Sequence, residues 1–289
     1  MTAVGQQSQS HASIAAPLPF GIINVSVANM RRLPVFQSET VNQVLLGTVV
    51  KIFEWQNDFY FVENWDGYAG WINRHVLHPV DQETAENWQT GRRVICKTAH
   101  QGVYRTADTA SEVITELVPC AVVISSGKES GMMKVQLPDG RHGFTPEGGL
   151  LTEGDQELLS ASPDGVIQLA KQFRGIPYFW GGITPKGFDC SGLVQTIFRM
   201  LNVALPRNAS QMAAIGQEVT ISSGLQQLQP ADLLFFGNSP RRITHVAIYI
   251  GIGNYLHAEG YVKENSLISK APHFNEMRRN TLLSARRIL

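Results

Sequence analysis

Between Asp189 and Val203 apolar residues recur at Leu193, Val194, Ile197, Phe198 and Leu201, the spacing of a helix with one buried face. Asp189 has the side chain of a good N-cap, so Cys190 is expected in the first helical turn. Upstream, Tyr178 to Gly182 mixes aromatic residues with glycines, which suits a tight loop lining a pocket. Thr244 to Gly251 alternates as a half-buried strand with His245, Ala247 and Tyr249 on one face, and Asn254 to Ala258 reads as the returning strand. A turn centred on Gly251 sets His245 opposite His257; a turn centred on Ile252 makes them diagonal neighbours. Either register leaves both imidazoles on one face of the sheet. Gly165 to Phe173 is expected as a first helix of this region, and Gln211 to Gln217 as a helical continuation. Asp232 to Phe236 is expected to open the sheet and Ala285 to Ile288 to close it, an α+β arrangement over residues 163–289.

The N-terminal half has a different rhythm. Gly21 to Val27, Val49 to Phe53, Tyr60 to Val62 and Gly70 to Ile72 are short β-rich runs punctuated by Gly, Asn and Asp, which predicts a small barrel over residues 20–80. Val94 to Cys96, Ala121 to Ile124, Met133 to Leu137 and Gly143-Phe144 repeat that theme more faintly over residues 91–151. Asp139 to Phe144 echoes Asp66 to Trp71, a charged-glycine turn followed by an aromatic residue. Asp81 to Thr90 reads as a polar linker with room for a short helix, and Thr152 to Pro163 as a domain boundary. Residues 1–19, rich in Ser, Gln and Ala, read as a disordered tail without the charge and apolar core of a leader peptide.

Composition adds exclusions. With 43% hydrophobic and 17% charged residues the 289-residue chain can bury ordinary cores, in about two or three domains. Lys+Arg 24 balances Asp+Glu 24, so no basic surface argues for nucleic acid. No apolar run approaches the length of a membrane span. Of the three cysteines, Cys96 and Cys120 are expected as core thiols, although spacing alone is compatible with a bond between them.

The candidate chemistry centres on Cys190. Its bland reading is a small buried apolar residue. At a helix start, however, free backbone N–H groups and the helix dipole favour a thiolate. With two histidines on one nearby sheet face, the set contains what a thiol hydrolase needs: a nucleophile, a base and an orienting group. Zinc held by Cys190, His245 and His257 is the competing reading, set back by the absence of a close ligand pair or an evident fourth ligand. His78, His100, His142 and His273 sit near chain punctuation and are expected to be exposed.

Four stretches in order, Phe188-Asp-Cys-Ser-Gly-Leu-Val194, Leu205-Pro-Arg-Asn-Ala-Ser-Gln211, Pro230-Ala-Asp-Leu-Leu-Phe-Phe236 and His245-Val-Ala-Ile-Tyr-Ile-Gly251, resemble the successive motifs of the NlpC/P60 family of papain-like cysteine peptidases. Asn24 to Ala28, Leu45 to Thr48 and Asp66 to Ile72 resemble the first bacterial SH3 domain of a three-domain subgroup, the YkfC-like or dipeptidyl-peptidase VI enzymes. The resemblance implies two SH3-like barrels before a papain-like catalytic domain. It implies Cys190 as nucleophile, His245 as base and His257 as orienting residue, with no cofactor or metal. The backbone N–H of Cys190 is a natural oxyanion donor, and Tyr178 corresponds to an aromatic residue near the nucleophile.

In that subgroup the residues matching Tyr68, Asp189 and Ser191 bind the free amine of an N-terminal L-alanine, with Glu39 a weaker carry-over; Arg207 and Asn208 belong to the adjoining loop. Asn208 stands where the subgroup often has Asp, so one charge of the amine site is missing here. The implied activity is hydrolysis of the γ-D-Glu–diamino acid bond in peptidoglycan stem peptides or muropeptides. A cell-wall amidase and a non-catalytic SH3-mediated wall-binding protein are the alternatives. The expected setting is the cytoplasm, in murein recycling, or the periplasm or exterior if a leader has been removed.

Overall fold

The computed structural model describes residues 18–152, 154–155, 161–222 and 224–289. The expected tail therefore lies outside the described residues up to residue 17, as does part of the boundary between residues 152 and 163. Alternating burial builds the first unit. In Val27–Arg31, Ala28 and Met30 point inward while Asn29 is exposed, and in Val49–Gln56, Val50 and Ile52 point inward while Lys51 and Phe53 face out. Together with Ile23, Val44, Val62, Ile72 and Leu77 these side chains close one apolar core. Asn57 and Asp58, both at positive φ, make the tight turn that joins Val49–Gln56 to Phe59–Glu63.

The first sheet has seven strands in the spatial order Thr40–Leu45, Val27–Arg31, Ala69–Asn73, Phe59–Glu63, Val49–Gln56, Phe20–Ile23 and Leu77–Val80. The second runs Val113–Leu117, Gln101–Tyr104, His142–Pro146, Met132–Gln136, Val122–Glu129, Arg93–Cys96 and Leu150–Thr152. Numbered by chain position within each unit, both orders are the same, so the faint sequence echo marks one topology used twice. The linker forms the helix Gln82–Thr90, capped by the Asp81 side chain on Thr84 N. Cys96 and Cys120 are free, buried thiols, and His78, His100, His142 and His273 are exposed.

The strand pattern read from the N-terminal half needs correction. The run Gly21 to Val27 is two strands, Phe20–Ile23 and Val27–Arg31, separated at Asn24 to Ser26. Thr40–Leu45 escaped the pattern because Asn42 and Gln43 are polar residues at buried positions. Gln101–Tyr104 escaped likewise: the Gln101 amide is buried, donating to Thr145 Oγ1 and Pro146 O.

The third sheet has the order Gln217–Val219, Leu282–Arg287, Leu233–Ser239, Arg242–Gly251, Asn254–Glu259 and Tyr261–Ser266. Leu282–Arg287 therefore lies inside the sheet instead of closing it. The helix after the Leu205-Pro-Arg loop ends at Met212; Gly216, at φ 74°, then turns the chain into the edge strand Gln217–Val219. Helix Pro163–Gln172 packs on helix Cys190–Met200, which in turn packs on Arg242–Gly251. Only Arg199 of Cys190–Met200 escapes burial, so the expected single buried face is too narrow. Its polar side is covered by bonded groups: Thr196 Oγ1 donates to Ile183 O, and Gln195 Nε2 to Leu205 O and Asp66 Oδ2. Among the described residues no helix is long and apolar enough to cross a membrane.

The first unit is fastened to the third by side-chain bonds across the seam. Asn42 Oδ1 accepts from Arg207 Nε at 2.6 Å, Gln43 Oε1 from Ile183 N at 3.1 Å, Asp66 Oδ2 from Gln195 Nε2 at 2.9 Å and Glu39 Oε1 from Trp180 Nε1 at 2.6 Å. At the same seam Gly181 adopts φ 80°, and a Cβ there would sit 2.8 Å from Thr40 O. Gly181→Ala should therefore destabilise the protein by about 1–3 kcal/mol, read as a lower urea midpoint with faster amide exchange at Thr40 to Gln43. An unchanged midpoint would mean that the two units are not locked through this loop.

Candidate active site

Cys190 is the first residue of its helix and is 7% exposed. The cap behind it is over-determined. Asp189 Oδ1 accepts from Gly192 N at 2.7 Å and Oδ2 from Gly181 N at 3.0 Å, joining the helix to the aromatic-glycine loop. Arg207, also buried, grips both carboxylate oxygens and donates from Nη1 to Ser191 Oγ at 2.8 Å. This bidentate geometry is the strongest ion pairing available to a guanidinium.

An opposing effect meets the expected thiolate at Cys190. Burial pushes its thiol up to about 11, with the Asp189 carboxylate adding to the effect. The Val246 and Ser191 backbone N–H groups and the Arg207 charge pull the other way and are outweighed. Withdrawing the sulfur from water costs the charged form more than the helix start returns.

Strands Arg242–Gly251 and Asn254–Glu259 pair Ile248 with Leu256, a register centred on Ile252, so His245 and His257 are diagonal neighbours on one face. Their rings meet edge to face, with His245 Nε2 and His257 Nδ1 2.7 Å apart. His257 Nε2 lies 2.9 Å from Asn265 Oδ1, and Asn265 Nδ2 donates to His273 O at 2.9 Å. Burial lowers the His245 imidazole well below 6.5, helped by His257 and by the Arg278 and Lys263 charges. Burial likewise takes His257 down to about 4, against the raising effects of Asn265 and Glu259. Burial thus works against charge on all three groups, the Cys190 thiol and the two imidazoles. Both nitrogens of His257 and one of His245 are engaged by these bonds, which weighs against the zinc reading.

Beside Cys190 opens a cleft of about 360 Å³, and the first β unit forms one wall of it. Tyr68, Asp189, Ser191, Arg207 and Asn208 all face this cleft, together with Arg32, Glu39 and Trp180. Glu39 accepts from Trp180 and pairs with Arg32 Nε at 2.8 Å. Asp189, expected as a carboxylate awaiting an ammonium, is already paired to Arg207, so its charge is compensated within the protein. Asn208 leads into the short helix Ala209–Met212, its N–H bonded to Gln211 Oε1. Tyr68 is half-buried, and burial raises its phenol above 10. Tyr178 is raised further, by burial and by neighbouring Cys190 and Asp189, so both hydroxyls remain donors at neutral pH.

Asn265, Gln195, Asp66 and Asn42 were not singled out from the sequence. Asp66 Oδ1 accepts from Tyr68 N at 3.1 Å while its Oδ2 holds Gln195, so the helix of Cys190 positions the loop of Tyr68. Asn265 was within reach of reasoning: a turn at Gly260 puts it two residues beyond Lys263, the partner of His257, on the same face.

The NlpC/P60 family profile matches residues 175–287. These residues form an NlpC/P60 domain. Over 227 residues the chain is 26% identical to a gamma-D-glutamyl-L-lysine dipeptidyl-peptidase of Bacillus cereus, a match covering 75% of this chain and 66% of that protein, just under two thirds. Over 268 residues it is 28% identical to dipeptidyl-peptidase 6 of Lysinibacillus sphaericus, covering 88% of this chain and 94% of the relative. The crystal structure of an NlpC/P60 family protein from Bacillus cereus superposes with a TM-score of 0.77 at 23% identity, covering 93% of this chain and 99% of that one, a likeness of fold.

The depressed His257 imidazole links the NlpC/P60 domain's stability to pH. Above 6.5 the ring is neutral folded or unfolded; from 6.5 down to about 4 only the unfolded chain takes up the proton, so stability falls over that window. Urea midpoints should decline from pH 7 to pH 4 in the wild type and less steeply in His257→Gln. Parallel profiles would refute the assignment.

Proposed function

We propose that this protein is a cysteine peptidase of peptidoglycan stem peptides, cutting after γ-D-glutamate in fragments that begin with a free L-alanine. The observation that carries the proposal is the convergence of the Cys190 helix start, the His245–His257 pair and the two-unit cleft. The names of the Bacillus and Lysinibacillus relatives, and the NlpC/P60 domain itself, support the same substrate class. The N-terminal β units are read as SH3-like barrels, the first of them a wall of the substrate groove.

The charge inventory of the cleft favours this substrate. It offers two carboxylates, Asp189 and Glu39, and two guanidiniums, Arg207 and Arg32. L-Ala-γ-D-Glu carries an ammonium on alanine and a free α-carboxylate on glutamate, so one ligand can engage both signs. Asp189 is tied to Arg207 at depth, whereas the Glu39–Arg32 pair lies at the exposed rim, where such pairing is weak and a ligand can displace it, so ammonium recognition falls mainly to Glu39 and the Tyr68 hydroxyl.

In the proposed reaction His245 takes the proton of the Cys190 thiol as sulfur attacks the γ-carbonyl carbon. The electron pair left on sulfur forms the new C–S bond, and the carbonyl oxygen becomes an oxyanion. The helix-start N–H of Cys190 and the Tyr178 hydroxyl are the donors for that oxyanion. The tetrahedral adduct collapses as His245 returns its proton to the leaving amine, and water then hydrolyses the thioester by the same base. A neutral thiol beside a neutral imidazole makes the proton transfer part of the attack.

Cys190→Ala should reduce turnover of L-Ala-γ-D-Glu-L-Lys by several orders of magnitude while the fold is retained. N-acetylation of the alanine should lower kcat/KM on the order of a hundred-fold through loss of charge-assisted bonds, and Glu39→Gln with Tyr68→Phe should shrink that preference. Mass spectrometry of the digests reads the bond cut. Equal rates on free and acetylated peptides would overturn the free-amine reading, and full activity in Cys190→Ala would overturn the thiol mechanism.

A further inference from the structure

We infer that Asn265 is a positioning residue that sets the protonation pattern of both histidines and leaves the basic nitrogen of His245 free for Cys190; this role rests on the proposed thiol reaction. The reasoning starts at a group whose chemistry has no choice. The carbonyl oxygen of His273 can only accept, and it faces the Asn265 side chain at 2.9 Å, so the contacting atom is the amide nitrogen. Asn265 therefore turns its oxygen toward His257 Nε2 at 2.9 Å, and that nitrogen must carry the hydrogen.

A neutral imidazole has one N–H, and burial keeps this ring neutral. His257 Nδ1 is then a bare lone pair, 2.7 Å from His245 Nε2, so His245 must donate there. With its hydrogen on Nε2, the neutral His245 ring presents an unprotonated Nδ1. One backbone carbonyl thus fixes four successive donor–acceptor assignments, ending at the nitrogen that accepts the thiol proton. When Nδ1 takes that proton, the positive ring keeps its Nε2–H bond to His257, whose lone pair stabilises it without a second transfer. A carboxylate orienter would do this with a full charge; here a polarised chain of neutral groups does it.

The hydrogen-bond directions predict a spectrum independent of activity. In 15N-labelled protein at neutral pH, long-range 1H–15N correlation should find Nε2 protonated and Nδ1 pyridine-like on both His245 and His257. Asn265→Leu, which removes the acceptor at similar size, should return His257 to a mixture of tautomers. It should lower kcat on the order of ten- to a hundred-fold, as when other orienting partners of histidine are lost, with KM little changed. Asn265→Asp, which still accepts from Nε2, should keep the wild-type tautomers; if Asn265→Leu does not fold, Asn265→Ala takes its place. A Nδ1–H on either ring of the wild type, or an unchanged tautomer pattern in both apolar variants, overturns the inference. Failure of the peptidase reading would show instead as turnover persisting in Cys190→Ala, a result that leaves the tautomer spectrum untouched.

Discussion

The buried pair between Arg207 and Asp189 is the constraint on which the rest of the site depends. Asp189 caps the helix that begins with Cys190, holds Gly181 of the aromatic loop, and is itself held by a guanidinium that also reaches Ser191 and Asn42. A bare carboxylate or a bare guanidinium at such depth would cost several kcal/mol, so each charge makes the other tolerable. The pair is thereby also a lock between units: Asn42 belongs to the first sheet, 165 residues earlier in the chain. Helix start, loop and distant strand are positioned by one set of fixed forks.

This changes how the cleft is understood electrostatically. Asp189, which flanks Cys190 and has the right charge to greet an ammonium, has that charge compensated from behind by Arg207. On the proposed reading, recognition moves outward, to Glu39 and Tyr68 of the first β unit. The first unit lines the cleft together with the NlpC/P60 domain, whereas among the described residues the second unit, with the same topology, contributes none to its lining.

Much of the site could be read from the chain because its signals are local. The helix after Asp189, the same-face histidines and the aromatic-glycine loop each rest on periodicity or turn chemistry over a few residues. Three things were not legible. The Cys190 thiol was expected to ionise, since a helix start is visible in sequence while the depth of burial around it is not. Thr40–Leu45 was missed because Asn42 and Gln43 look like surface residues until their partners in the third unit are known. The partner of Asp189 was a long-range fact of the same kind, for nothing near Arg207 announces which carboxylate it will hold.

The burial that pushes the Cys190 thiol up has a consequence for its chemical durability. A thiol pushed up by burial is little ionised at neutral pH. Peroxide and disulfides attack the thiolate, and the path to sulfenic and sulfinic acids begins there. An exposed, permanently ionised sulfur would meet those oxidants continuously. If Cys190 is the nucleophile proposed above, the burial that holds back its charge in the resting protein also shields it from redox damage.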